Sequence, residues 1–217
     1  YTTFSRSRQR QACTAGVLAA QRGKITVETV MNALRDHGPD PDWQPSRGVA
    51  AFDVCAHAGF GPVRGTGTTG SMVSHLTPEG QTHYVTGTAA PCTSIFKPVW
   101  LGADLPDTGP QPTGTYDGAT LWWRHESLHR ATLRDYTARI ALYRQERDEL
   151  ERRFIQGAEA RRKASQEEKA HYSARCFAQA DEAEAGWLKH VNAHRPDRRP
   201  GWLYRLAWNG FNRKAGM

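Results

Sequence analysis

Residues Thr66–Trp100, TGTTGSMVSHLTPEGQTHYVTGTAAPCTSIFKPVW, carry the alternation that decides the fold class. From Thr68 to Leu76, Met72, Ser74 and Leu76 fall on one face and Val73 and His75 on the other, the period of two of a strand. Pro78-Glu79-Gly80 is a turn signal, because proline presets φ and glycine accepts a positive one. Thr82–Thr88 alternates again, with His83, Val85 and Gly87 opposite Tyr84 and Thr86. Ala90-Pro91 interrupts the pattern, and the apolar run Ser94–Leu101 (SIFKPVWL) resumes it. Pro98 has no backbone donor, which places this third strand at a sheet edge or at a bend. The stretch predicts an antiparallel meander of three strands.

On the N-terminal side, Tyr1–Phe4 is β-prone. Ser5 or Ser7 can cap a helix that reaches about Gln21 and ends at Gly23. Its small residues Ala12, Ala15, Ala19 and Ala20, with Val17 and Leu18, suit close packing on a sheet. Thr26 can cap a second helix whose apolar side is Val27, Val30, Met31 and Leu34, and Gly38 with the run PDPDWQPSRG turns it into a loop. Ala51–Ala58 (AFDVCAHA) alternates like a further strand, with Cys55 in the core. Beyond the meander, 102–118 is a loop rich in Pro, Gly, Asp and Thr. Leu121, Leu128, Thr132, Tyr136, Ile140, Tyr143, Arg147, Leu150 and Phe154 then mark the stripe of one long helix. Gly157 permits a break, Ala158–Ala185 continues helical, and the tail from Trp187 mixes aromatic and basic residues. Helices, then strands, then long helices fit an α+β layered fold rather than βαβ units. The expected division is a layered part, 1–118, and a helical extension, 119–217.

The 217 residues carry 29 Lys and Arg against 22 Asp and Glu, a formal charge of +7. That balance reads as solvated helix faces, so nucleic acid is not an expected partner. The aromatic residues of the tail are expected to cover the edge of the core or a subunit contact, and an oligomer is compatible with this. No apolar run approaches the ~20 residues of a membrane helix, and nothing at the N-terminus resembles a signal peptide. A cytoplasmic protein with reduced thiols is expected. Its cysteines, Cys13, Cys55, Cys92 and Cys176, form no CxxC and are not spaced with histidine as in a zinc motif, so neither metal nor cofactor is expected. Cys13 has no partnering base. His57 and His75 read as strand histidines without an orienting carboxylate. His125–His129, HESLH, matches the HExxH pattern of zinc proteases, but no third ligand accompanies it. Thr68, Thr69 and Ser71 place hydroxyls around Gly70, and Thr69 and Ser71 are the candidate substrate-binding residues.

The run TTGSMVSHL followed by HYVTGTAAPCTSIFKPVW resembles the C-terminal part of secernins and related bacterial dipeptidases. These are cysteine amidohydrolases of the N-terminal-nucleophile hydrolase superfamily. KITVETVMNALRDHG (24–38) and LWWRHESLHR (121–130) fit the same family, so the likeness spans roughly Ser5–Phe154 in order. It implies a four-layer αββα fold, of which this chain supplies the later strands and one outer layer. It also implies hydrolysis of amide bonds in short peptides through a thioester on an N-terminal cysteine. The α-amine of that cysteine, with a pKa of about 7.7–8.0, serves as base. The family's nucleophile opens the mature chain, whereas this one opens with Tyr1. The catalytic cysteine is therefore expected on an N-terminal portion, a separate chain or another segment, and this chain alone is expected to be inactive. Ser7-Arg8-Gln9-Arg10-Gln11-Ala12 matches the Ser-Arg-x-x-x-Ala pattern of the related bile-salt hydrolases, which implies Arg8 as a catalytic-site arginine, or Arg6 if the register slips. In secernin-like chains the stretch similar to HESLH lies on a helix without a metal role. The alternative reading is a non-catalytic relative that keeps the scaffold for protein contacts.

Overall fold

The computed structural model describes residues 5–48, 53–61 and 64–217. The β-prone start Tyr1–Phe4 and the first two residues of the run Ala51–Ala58 lie outside them.

The meander forms as its alternation dictates. Strands β1 (Met72–Thr77), β2 (Gly80–Val85) and β3 (Lys97–Val99) pair antiparallel in the order β1-β2-β3. Val73 faces Tyr84 and His75 faces Thr82 across the first pair, and Tyr84 faces Pro98 across the second. Pro98 thus sits on an edge strand, where its missing donor costs no ladder bond. The strands are shorter than the alternation suggests, because the ladder stops at Val85 and resumes only at Lys97. Residues 53–58 are not a strand.

One face of the sheet is covered by helices. Val73 and Tyr84 pack with Met31, Ile95, Phe96, Trp100, Leu150, Phe154, Ala158, Tyr172, Cys176 and Ala180 in one core cluster. The opposite face is exposed along β1 and at Gln81, with Met72 62% and Leu76 67% exposed and Ser74 also at the surface, but it closes at β3, where Lys97, in register with Val85 and Met72, is 1% exposed.

Helix α1 (Ser7–Ala20) buries none of its residues and packs on α2 (Val27–Leu34), not on the sheet. Its small residues therefore face water or a helix rather than strands. Gly23, at φ +77°, completes the turn beyond it. Thr26 caps α2 as its sequence predicts: its hydroxyl accepts from Thr29 N at 3.1 Å and its N–H donates to Thr29 Oγ1 at 3.2 Å.

The stripe from Leu121 to Phe154 is real, but it is not one helix. It runs through α3 (Leu121–Thr132), a 3₁₀ turn (Leu133–Asp135), α4 (Tyr136–Ala141) and α5 (Arg144–Ala160). Thr132 Oγ1 donates back to Leu128 O at 2.8 Å, a bond that bends helices. Asp135 leaves helical geometry (φ −159°, ψ 76°), and its carboxylate accepts the Asp197 and Arg198 amides at 2.8 and 3.0 Å. Each piece still turns its apolar side inward, which is why the periodicity survives the breaks. Gly157 lies inside α5, where a Cβ would collide with the Tyr172 ring; it permits close packing rather than a break.

Helices α6 (Gln166–Ala193) and α7 (Trp202–Lys214) follow. Ser165 and Glu168 form a capping box at the start of α6. A second core cluster joins Cys55, Ala90 and Cys92 to Leu128, Leu133, Tyr136, Ile140, Tyr143, Trp187 and Val191, with Trp208 packed against it. Both clusters draw on residues from either side of 118, so the two expected parts share their cores. No described helix is long and apolar enough to cross a membrane.

Candidate functional site

Between α2 and β1 the described residues form neither helix nor strand, and side chains hold them in place of a ladder. The segment after α2 is joined to the next by Cys55 N, which donates to Asp36 O at 3.1 Å. Trp43 Nε1 donates to Asp53 Oδ2 at 2.8 Å, while Arg6 pairs with Asp53 Oδ1 at 3.3 Å. The buried Arg64 guanidinium donates to Gly48 O at 2.6 Å and to His57 O at 3.3 Å. Thr68 accepts the Ala56 amide on its hydroxyl at 3.0 Å, and its carbonyl accepts Ala90 N at 2.8 Å.

The loop before β3 is fixed from the helical side. Arg35, at the end of α2, donates to Pro91 O at 2.9 Å and Ser94 O at 3.2 Å, and Arg147 of α5 donates to Cys92 O. Ala90 takes a left-handed φ of +46°, unusual for a residue with a Cβ.

These three segments deliver four side chains to one point: His37, Cys55, His57 and Cys92. His57 Nε2 lies 3.2 Å from His37 Nε2, 3.3 Å from Cys92 Sγ and 3.5 Å from Cys55 Sγ. All four donor atoms lie within 4.8 Å of one another. Cys55, His57 and Cys92 are buried, and His37 is half-buried. Aromatic rings wall the cluster. Trp43 stacks on His37 at 3.7 Å and 9°, His129 stacks on His57 at 5.5 Å, and Tyr136 meets the His37 and His57 rings edge-on.

Burial pushes the Cys55 thiol well up, and the neighbouring Cys92 adds to the effect. Burial also opposes ionisation of Cys92, but the hydrogen bond from Cys55 and the His57 and His37 side chains outweigh it and hold Cys92 well below the ordinary thiol range. His129 is held well below the imidazole range by burial first and then by His57 and His125, so it remains neutral.

The residues singled out in the sequence lie elsewhere. Arg8 is exposed on the first turn of α1. Arg6 is better tied. It has a left-handed φ of +49°, donates to Gln9 Oε1 at 2.7 Å, and reaches Asp53, two residues from Cys55. Thr69 is exposed and lines a hollow with Trp122, Trp123 and Arg130. Ser71 is joined to Thr86: its amide donates to the Thr86 hydroxyl and its carbonyl accepts Thr86 N, both at 3.0 Å. Arg8, Thr69 and Ser71 therefore do not form one constellation through any hydrogen bond or ion pair among the described residues.

His75 does find a carboxylate, Glu159, at 2.9 Å. His125 sits between Glu184, at 3.0 Å, and Ala89 O, at 3.0 Å, while Glu126 pairs with Arg130 at 2.8 Å. The HESLH residues are thus spent on structural contacts. In the tail, Tyr204 is buried and Trp208 packs edge-on to His129, whereas Trp202 is exposed.

The cysteines are not spaced as a zinc motif in sequence, yet the fold groups two of them with two histidines; Cys55 lies in the core as expected, whereas His57 is not on a strand. Only Cys55-Ala56-His57 gave a local signal, since residues two apart in an extended segment point the same way. His37 lies 20 residues before His57, and Cys92 lies 35 residues after it, separations that follow no common ligand spacing. No family model, no curated protein and no solved structure matches this chain.

Proposed function

We propose that this chain is the C-terminal portion of a secernin-like cysteine amidohydrolase that cleaves amide bonds of short peptides. Its nucleophilic cysteine belongs to an N-terminal portion that packs on the open face of the meander. The observation that carries this reading is the exposed β1 side of the sheet: helices cover Val73 and Tyr84, while Met72 and Leu76 on the opposite face stay 62% and 67% exposed. One half of a four-layer sandwich has this form, with its open face meeting a second sheet about 10 Å away. The stretches TTGSM and FKP lie on and beside that sheet.

In the chemistry proposed, the terminal α-amine takes the thiol proton and the thiolate attacks the peptide carbonyl. The tetrahedral intermediate expels the amine to leave a thioester, which water then hydrolyses. A cation near the terminal cysteine lowers the thiol pKa and offsets the oxyanion charge. Of the two arginines considered, Arg6 is favoured over Arg8 because its conformation is held by Gln9 and Asp53. Thr69 and Ser71 remain proposed substrate contacts.

Native mass spectrometry with N-terminal sequencing of all co-purifying chains tests the assignment, followed by dipeptide hydrolysis and a thiol-directed activity probe on the assembly. A partner or precursor that matures to an N-terminal cysteine, with hydrolysis lowered at least tenfold in Arg6→Ala, supports the reading. A stable species of 24.2 kDa alone, unlabelled by the probe and inactive on peptides, overturns it and leaves the scaffold reading.

A further inference from the structure

We propose that His37, Cys55, His57 and Cys92 form a closed tetrahedral site for a zinc-class divalent metal ion that staples the segments carrying His37 and Cys55–His57 to the loop before β3. This goes beyond the hydrolase reading and does not rest on it.

The geometry is the first argument. Zinc binds thiolate sulfur at about 2.3 Å and imidazole nitrogen at about 2.0–2.1 Å. A tetrahedron with those arms has edges of about 3.3 Å between nitrogens and about 3.6 Å between nitrogen and sulfur. The observed edges at His57 are 3.2 Å to His37 Nε2, and 3.3 and 3.5 Å to the two sulfurs. The three edges at His57 match that tetrahedron, and the remaining donor pairs lie within 4.8 Å, close enough for a small inward shift to complete it.

Hydrogen bonding alone does not account for the arrangement. A neutral imidazole nitrogen offers either one N–H or one lone pair, in the ring plane. Three partners converge on His57 Nε2 from different segments, so at most one can make a good bond with it. A cation at the centre satisfies all four donors together.

Charge balance gives the second argument. Two thiolates and two neutral imidazoles around a divalent ion sum to zero, which makes burial inexpensive compared with isolated thiolates. Soft sulfur with imidazole selects zinc-class ions over magnesium or calcium. Four protein ligands leave no open position, and the rings of Trp43, His129 and Tyr136 close around them. That is the form of a structural site rather than a catalytic one. Outer contacts hold the ligands in place: Asp36 O accepts the Cys55 amide, Arg64 grips His57 O, and Arg147 grips Cys92 O. Binding releases the thiol protons to solvent as the two metal–sulfur bonds form, and its free energy adds to folding, where the described residues of the segment have no strand or helix of their own.

The test uses the full chain, expressed with zinc and without a histidine tag, and measured by elemental analysis after gel filtration. About one zinc per chain is expected, and cobalt replacement should give tetrahedral ligand-field bands with thiolate-to-cobalt charge transfer. Cys55→Ser combined with Cys92→Ser should lose at least nine-tenths of the metal and the charge-transfer band. Cys13→Ser combined with Cys176→Ser should keep both, which controls for general thiol loss. If the double ligand variant does not fold, thiol labelling of the unaltered chain decides. Cys55 and Cys92 should then react only after a chelator is added. Folded protein without stoichiometric metal after zinc supplementation, or full metal retention in the ligand variant, overturns the site.

Discussion

Replacing Glu151 by alanine probes the contact that ties α2 to α5 and to the loop before β3. The Glu151 carboxylate accepts from both terminal Arg35 guanidinium nitrogens, at 2.8 and 2.6 Å, and from the Phe96 amide at 2.8 Å. The Arg35 and Glu151 side chains are only 9% and 6% exposed. Burial works against the charge on Arg35, but Glu151 more than compensates and raises its pKa. Glu151→Ala leaves that guanidinium buried without its counter-charge, a change of about 3–5 kcal/mol. The Phe96 amide also loses its acceptor, which puts the loss toward the upper end of that range. At roughly 2–4 °C per kcal/mol for a chain of this size, the midpoint should fall by roughly 6–20 °C. Thermal and urea unfolding followed by circular dichroism give both numbers. Arg35→Met with Glu151→Leu should recover most of the loss, because buried pairs tolerate apolar replacement far better than half-removal. A Glu151→Ala stability within about 1 kcal/mol of the parent would refute the buried-pair argument.

Three further outcomes follow from other contacts. Burial opposes ionisation of the Glu184 carboxyl, but its interactions with His125, Lys97 and Arg124 outweigh it and hold the carboxyl below its ordinary 4.5, so the stability it contributes is present above that value and lost as pH falls through the lower folded pKa. Glu184→Gln should flatten the acid limb of a pH-stability profile, and an unchanged limb would count against the pair. Gly157→Ala gains about 1 kcal/mol of helix propensity but forces Tyr172 from its bonds to the Arg153 and Phe154 carbonyls. Overpacking of about 1–3 kcal/mol should make the net change destabilising in urea unfolding. Met72→Asp, on the open sheet face, should change the stability of the isolated chain by no more than about 0.5 kcal/mol. The same change should abolish assembly with a nucleophile-bearing portion in gel filtration; unchanged assembly would place that portion elsewhere.

Local patterns in the sequence determined the parts of this protein that depend on near neighbours. The alternation of Met72–Leu76 and Thr82–Thr86 specified which side chains share a face, because a strand's period is two wherever it pairs. Thr26 announced a cap, and Pro98 announced an edge. The stripe from Leu121 to Phe154 correctly named the buried side, since burial is what periodicity records. Tertiary structure decided where elements end and what meets across the chain. Asp135 leaves the helix to bind the amides of Asp197 and Arg198, partners more than sixty residues away. The run 53–58 alternates like a strand but finds no ladder, and its amides go instead to Asp36 and Thr68. The convergence of His37, Cys55, His57 and Cys92 was likewise invisible in the spacing, for the same physical reason. Ligand geometry is a property of distances in space, and loops held by Arg35, Arg64 and Arg147 can bring any sequence separation to 3.5 Å or less.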